Sequence, residues 1–271
     1  MSERRLTPTG TTFQRGSEVP ATVTGTIEGM AKTAPVAIRP LIVGEGFVLL
    51  SAFKEQGLVD PLHRHDDHES IAYQLSGSQR LVIGGEEFVS EPGDAWYHAP
   101  GMPHSSTTLA DSLQLEIKSP PMNTWGGGPQ GPFVPGDWER PADPAGRRLP
   151  GAGAKFVKAG AAPTLRVSSV EGAHPEGVLE ITPMIVGHNV VLFPAFKAKG
   201  LIDPLHQHYD HETVGYCISG RLRLVIGGVE SIAGPGDAWY HGRGVPHLSE
   251  ALEDSTYVAA KTPPMQTWVS A

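Results

Sequence analysis

The apolar residues of this chain come in short runs and not in helical stripes. FVLLSAF (47–53) and VVLFPAF (190–196) are brief segments of β-branched, aliphatic and aromatic side chains. IAYQLSG (71–77) and VGYCISG (214–220) alternate bulky with small or polar positions, the period-two pattern of a strand with two unlike faces. RLVIGGEE (80–87) and RLVIGGVE (223–230) set Gly-Gly between two strand-like halves, which is a hairpin signal. EPGDAWYH (91–98) and GPGDAWYH (234–241) supply another turn followed by a strand. No stretch carries persuasive helical periodicity. The pattern predicts an all-β protein of short strands, a sandwich or a small barrel.

Each of these segments occurs twice. Residues 40–125 align with 183–268 at a constant offset of 143 without a gap, and roughly 49 of 86 positions are identical. PLHRHDDHES (61–70) matches PLHQHYDHET (204–213), and PGDAWYHAPGMPH (92–104) matches PGDAWYHGRGVPH (235–247). A weaker match reaches back to about residues 22 and 165. Two long units are too few for a solenoid. The expected organisation is an N-terminal barrel over 22–125, a linker or irregular strap over the Gly- and Pro-dense segment 126–164, and a C-terminal barrel over 165–268.

Composition narrows the function. The 271 residues suffice for two ordinary cores. A net charge of −8 and a pI near 5.8 count against a nucleic-acid binder, which needs a basic stripe. No run approaches the ~18 apolar residues of a membrane span, and no apolar run follows a basic start, so neither a membrane partner nor a signal peptide is expected. Cys217 is the single cysteine, so no internal disulfide can form, and a reducing, cytoplasmic setting is the default expectation. The expected partner is a small-molecule substrate. A homodimer of the whole chain stays open.

Histidine carries the chemistry. Of the 12 His, ten form repeat-matched pairs: His63/His206, His65/His208, His68/His211, His98/His241 and His104/His247. In His-x-His on a strand both rings share a face, and a barrel can bring a third His alongside from 41 residues further on. Three neutral imidazoles converging on one point make a borderline-metal site. The expectation is one divalent transition metal per barrel (Fe, Mn, Ni, Zn or Cu), on His63, His65 and His104 and on His206, His208 and His247. A lone His would more often be a satisfied polar residue of the barrel wall. The doubled spacing outweighs that.

Gly57-x5-His63-x-His65 with Gly93-x5-Ala99-x-Gly101-x2-His104, and their copies from Gly200 and Gly236, resemble the two signature motifs of the cupin superfamily. The family's usual Pro in the second motif is Ala99 here and Gly242 in the other copy. The resemblance covers both copies and implies a bicupin, two tandem double-stranded β-barrels with a metal at each mouth. The family's fourth ligand, a Glu or Gln, falls between two positions. Counted one way it is Glu69 and Glu212; counted the other way it is Ser70 and Thr213. The alternation puts Ser70, Ala72, Gln74 and Ser76 on one face and Glu69, Ile71, Tyr73 and Leu75 on the other. The small, polar phase suits a cavity wall, which favours three His with open positions. Ligation by Glu69 and Glu212, or by His68 and His211, remains open. Glu69 and Glu212 otherwise suit a role as acceptors for the far N–H of a ligand imidazole.

Other repeat-matched groups have plainer roles. His98 and His241 suit strand packing, or acid–base work if they face the cavity. Arg80/Arg223 and Lys118/Lys261 suit salt bridges better than substrate anchoring. Trp96/Trp239 and Tyr97/Tyr240 suit the core. Cys217 faces the second cavity with nothing to mark it as a nucleophile.

Local features are similar to uronate-processing cupins and to cupin polyketide cyclases: the HxH…HE stretch, the GDxxY turn, and the closing SPPMNTW (119–125) and TPPMQTW (262–268). The uronate group implies an Arg after the Pro-Pro, where this chain has Met122 and Met265, and an acidic residue six positions before it, where it has Glu116 and Ala259. Among cupins, a three-His site without the carboxylate resembles the iron dioxygenases, and a four-ligand site the decarboxylases, isomerases and lyases. The expectation is therefore an enzyme acting on a small oxygenated organic substrate, leaning to a three-histidine Fe(II) dioxygenase. A non-redox isomerase, cyclase or lyase is the alternative, and a non-catalytic metal-containing binding or sensing barrel is a third. Gln74 and Glu116 of the first copy become Cys217 and Ala259 in the second. The more polar first pocket makes Glu69, Gln74, His98 and Glu116 the expected catalytic groups.

Overall fold

The computed structural model describes residues 4–126, 128–134, 146–151 and 153–271. Among them the regular structure is strand, with a single 3-10 turn at Gly16–Glu18 and no α-helix. The expected β architecture holds, and the two copies form two barrels. In the first, antiparallel neighbours run in the order Phe156–Val157, Ala95–His98, Glu69–Ile83, His104–Ser119, Val48–Lys54, Met30–Val43, Thr22–Ile27. Val59–His63 pairs with His104–Ser119, and Glu86–Ser90 with Glu69–Ile83. Gly84 and Gly85, at φ 56° and 82°, close the expected two-residue hairpin between Ile83 and Glu86.

The second barrel repeats this order with its two longest strands broken. Glu69–Ile83 corresponds to Glu212–Ser219 plus Leu222–Ile226, and His104–Ser119 to His247–Ala251 plus Ser255–Thr262. The strands therefore divide into a nine-stranded and a four-stranded sheet. The first break falls at Gly220 (φ 81°), the partner of Gly77 (φ 75°). A Cβ at Gly77 would lie 2.0 Å from the Asp111 carbonyl oxygen, so the bend admits only glycine.

Alternation decides what each face buries. Ile71 and Tyr73 point out of the first barrel, Val214 and Tyr216 out of the second, and these outer faces meet in one shared core with Leu49, Ile117, Leu192 and Val258. The opposite phase fills the barrels. Ala72 packs with Leu81, Ile83 and Trp96 in the first, and Cys217 with Leu224, Ile226 and Trp239 in the second.

Two arms bind the barrels together reciprocally. Arg5 bridges to Met122 beside its own barrel, and the chain then crosses so that Phe13–Gln14 pairs with Ala238–His241 of the other. Arg148 bridges to Met265, and Phe156–Val157 pairs with Ala95–His98 of the first barrel. The described part of the expected linker is therefore a second copy of the N-terminal arm, at the same offset of 143. Residues 127, 135–145 and 152 of that segment lie outside the described residues.

Candidate metal centres and the cavity behind one of them

Backbone pairing sets His63 directly opposite His104, and the turn after His63 brings His65 over both. Their ring nitrogens lie within 4.8 Å of one another. Ring centroids are 5.0 Å apart for His63–His65, 4.2 Å for His63–His104 and 5.0 Å for His65–His104. Each ring is fixed through Nδ1: His63 on the Pro61 carbonyl at 2.7 Å, His104 on the Met102 carbonyl at 2.9 Å, and His65 on the Glu28 carboxylate at 2.7 Å. With N–H at Nδ1, the acceptor lone pair of each ring is at Nε2. His63 Nε2 is buried with no protein partner. Burial keeps these rings neutral; His104 is pushed down to about 3 by burial and then by His63, and His65 falls well below its ordinary range. Convergent, neutral, pre-oriented imidazoles fit a divalent cation.

The second centre departs from its expected set. His206 pairs with His247, with rings 4.4 Å apart, but its ring lies 6.4 Å from that of His208. The nitrogens that gather within 4.8 Å belong to His208, His241 and His247. The cause is local: His208 Nδ1 bonds the His211 carbonyl at 3.0 Å and its ring stacks on His211 at 3.6 Å, which draws it from His206. His98 and His241 stack on His104 and His247 at 3.6 and 3.7 Å, so both face inward, His98 beside its cluster and His241 as part of its own.

The neighbouring positions sort by strand phase. Ser70 lies inside and accepts from Lys118 Nζ at 3.3 Å; Thr213 Oγ1 is buried without a partner. Glu69 and Glu212 lie on the outer face and point away from the histidines. Glu69 accepts from Tyr97 Oη at 2.8 Å and, across the interface, from the backbone N–H of His188 at 2.7 Å and Asn189 at 2.6 Å. Glu212 accepts from Tyr240, Glu45 and Gly46 in the same manner. Both oxygens of each are thus engaged between the barrels, which corrects the placement of Glu69 and Glu212 as ligands or as acceptors for a ligand ring. His68 and His211 turn Nδ1 to Asp67 and Asp210, each at 2.7 Å.

The interiors differ more than the mouths. In the first barrel Lys54 bonds Asp60 at 2.6 Å, Gln79 at 3.3 Å and Ser106 at 3.2 Å. Gln79 bonds Gln74 and Gln114, Gln114 bonds Glu116, and Glu116 pairs with Lys118 at 3.1 Å. This polar network leaves a cavity of about 30 Å³, which Glu116 and His98 line and Gln74 does not. The polarity expected to mark a working pocket instead fills it.

In the second barrel the positions of Gln74, Gln79, Gln114 and Glu116 are Cys217, Leu222, Tyr257 and Ala259, and the cavity is about 90 Å³. His206, His208, His241 and His247 line it together with Lys261, Phe193 and Trp268. Lys197 and Asp203 form a buried pair at 3.1 Å; burial works against the Lys197 charge, but Asp203 and Tyr257 together, through charge and hydrogen bonding, hold it above its ordinary range. Lys261 bonds Thr267 and lies 5.6 and 5.3 Å from the ring centroids of Phe193 and Trp268, with no ion pair among the described residues. Burial pushes it down to about 8. The Cys217 thiol is raised to about 11 by burial and then Asp237, so it stays protonated at neutral pH. Arg80 and Arg223 lie outside, paired with Glu87 and Glu230.

Two barrels, each with imidazoles gathered at its mouth, define a tandem metal-binding β-barrel protein. The cupin-domain family model matches residues 49–117 and 195–259, and the chain belongs to the cupin superfamily as a bicupin. It is 33% identical to the pectin degradation protein KdgF of Dickeya dadantii (strain 3937) over 66 residues, 24% of this chain and 60% of that one. It is 31% identical to oxalate decarboxylase OxdC of Bacillus subtilis (strain 168) over 85 residues, 30% of this chain and 22% of that one. These matches span less than two thirds of either relative. A solved structure from work on the Mn(II) centres of Bacillus subtilis oxalate decarboxylase superimposes with a TM-score of 0.65 at 16% identity, over 99% of this chain and 81% of the other. The formate complex of Lactobacillus farciminis oxalate decarboxylase gives 0.63 at 15%, over 98% and 90%. At that identity the likeness shows the shared fold. No described helix is long and apolar enough to cross a membrane.

Several site residues carry no single-motif signal. Arg4, Glu28 and Asp67 bear on the first centre, and Arg147, Glu171 and Asp210 stand at the same places in the second. The signal that finds them is the offset itself: ArgArgLeu at 4–6 returns at 147–149, and GluGly at 28–29 returns at 171–172.

Proposed function

We propose that this bicupin is a metal-dependent enzyme of the decarboxylase or lyase type, working on a small oxygenated organic acid in the C-terminal barrel. The observation that carries the proposal is the cavity of about 90 Å³ there, lined by histidines and by Lys261 set against the Phe193 and Trp268 rings. His208, His241 and His247, with His206 beside them, would hold a divalent ion, which supplies a Lewis acid for a substrate carbonyl or hydroxyl oxygen. Lys261 receives the substrate carboxylate: a bound anion restores the charge that burial disfavours. Phe193 and Trp268 hold the carbon skeleton and keep water from it. The Lys197–Asp203 pair is self-neutralised and fixes the cavity floor. The N-terminal centre, with its interior filled, has a structural role. Relatives named as an oxalate decarboxylase and a pectin degradation protein support the decarboxylase or lyase type.

One observation favours a second reading. Glu69 and Glu212 turn away from the histidines, and the inner-face Ser70 and Thr213, opposite His98 and His241, offer only hydroxyls; an open three-imidazole site suits an Fe(II) dioxygenase. Mn(II)- or Fe(II)-loaded protein, incubated with a panel of small oxo-, hydroxy- and unsaturated carboxylates with and without O2, separates the two. Anaerobic turnover that is lost in H208A/H247A and keeps its rate in H63A/H104A supports the proposal. O2 uptake with Fe(II) alone supports the dioxygenase. Tight metal binding with no turnover of any substrate would leave a binding barrel.

A further inference from the structure

We infer that Glu28, clamped by Arg4 of the N-terminal arm, is a positioning residue for the N-terminal metal centre, and that the C-terminal barrel has uncoupled the same device. The inference rests on the histidines being metal ligands. Glu28 and Gly29 close the two-residue turn between Thr22–Ile27 and Met30–Val43, with Ile27 paired to Met30. Both turn residues are left-handed, at φ 47° and 78°. Such turns suit Asn-Gly or Asp-Gly, and the conformation is unfavourable for a long side chain with a Cβ. Only two non-glycine residues among those described adopt it, Glu28 and its repeat partner Glu171 at φ 49°. A strained backbone recurring at matched positions beside two metal centres points to what the side chain does.

What Glu28 does is reach His65. Its Oε1 bonds His65 Nδ1 at 2.7 Å, and both its oxygens take the fork of Arg4 at 2.6 and 2.7 Å. The side chains of Arg4, Glu28 and His65 are 2%, 5% and 4% exposed. Arg4 also lies 3.6 Å from Asp67, which holds His68, and the Arg4 carbonyl accepts from the Asn123 N–H at 2.8 Å, which ties the arm to the barrel. A carboxylate on the far N–H of a ligand imidazole fixes its tautomer and orientation and strengthens its donor nitrogen more than a neutral carbonyl does.

The second barrel keeps the arginine, both acids and both histidines, as Arg147, Glu171, Asp210, His208 and His211, and changes the connections. Arg147 bonds both Glu171 at 2.7 Å and Asp210, while the other Glu171 oxygen is buried with no hydrogen-bond partner among the described residues, so Glu171 does not hold the ring. His208 turns Nδ1 to the His211 carbonyl instead, and its ring stands 6.4 Å from His206, against 5.0 Å for the corresponding rings of the first barrel. The N-terminal centre is therefore the tighter of the two, locked from the arm.

Calorimetric titration of the full-length, metal-free chain with Zn(II) tests this without any assay of activity. Wild type takes up two equivalents with unequal affinity. E28A weakens the tighter site by about 10–100-fold and leaves the other unchanged; E28Q, which retains an acceptor oxygen, loses less; E171A changes neither. R4Q preserves the strained turn and gives an intermediate loss at the tighter site, so it decides the matter even where E28A folds poorly. Equal losses in E28A and E171A, or an unchanged tighter site in E28A or R4Q, would overturn the inference. A wild-type chain that takes up no Zn(II) would instead overturn the assignment of the histidines.

Discussion

At the scale of single residues, Lys261 shows how burial sets chemistry. An ammonium beside Phe193 and Trp268 with no ion pair among the described residues is costly, and burial lowers its folded-state pKa from 10.5 to about 8. The unfolded chain then binds the proton more firmly, so this group costs stability in full below pH 8 and the loss fades as pH rises from about 8 to 10.5. K261M should therefore raise the melting temperature of the metal-free protein at pH 7 and abolish the alkaline rise. In the same variant KM for the anionic substrate should increase tenfold or more with a smaller change in kcat, since a charge that binds the carboxylate throughout acts uniformly. A fall in melting temperature at pH 7 would show that the ammonium has a partner in solution. Glu69 makes the complementary point. Its place one residue before the inner-face Ser70 turns it from the metal to the partner barrel, because successive strand side chains take opposite faces.

At the scale of elements, the repeated strands were legible and their breaks were not. The alternation of IAYQLSG located the inner and outer faces, and the structure keeps that phase in both copies. The arms escaped notice because two-residue strands have no periodicity to read, and their partners lie in the other barrel. Gly215 is a third element-level detail: a Cβ there would lie 2.2 Å from the Trp239 indole, whereas the first barrel has Ala72 beneath Trp96. The glycine lets Trp239 sink into the strand, where it forms part of the cavity wall. G215A should destabilise by about 1–3 kcal/mol in denaturant unfolding, the usual cost of overpacking, and should weaken substrate binding. A neutral effect on both would mean that the tryptophan has room to move.

At the scale of the whole molecule, the two barrels are joined so extensively that they should unfold as one cooperative body. Their outer faces share a core, their arms exchange strands, and Glu69 and Glu212 each fasten a turn of the opposite barrel. Each centre adds a cluster of buried neutral histidines, and this sets the acid limit. Nine are depressed: His63, His65, His68, His98 and His104 in the first barrel, His208, His211, His241 and His247 in the second. Burial leads in every case, taking His68 and His247 to about 4. Below their ordinary value of 6.5 the unfolded chain takes up protons that the folded chain refuses, so stability falls as pH drops from about 6.5 through about 4. Glu69 and Glu212, raised by burial, act in the opposite sense but are only two. Denaturant unfolding of the metal-free protein should therefore show a steep loss between pH 6.5 and 4, in a single transition for both barrels. A flat profile, or two separate transitions, would contradict this account.

The sequence by itself determined the strands, the duplication, the inner and outer faces and the repeat-matched histidines from which each cluster is drawn. All of these follow from local periodicity, turn chemistry and matched spacing. Only the tertiary structure decided that the first interior is filled by its own glutamines while the second is open, that His241 joins His208 and His247, and that Glu28 reaches His65 from a distant turn. Those outcomes depend on which side chains satisfy one another across strands far apart in the chain. Two copies of one pattern diverged there because a few substitutions changed the partners available to each buried polar group.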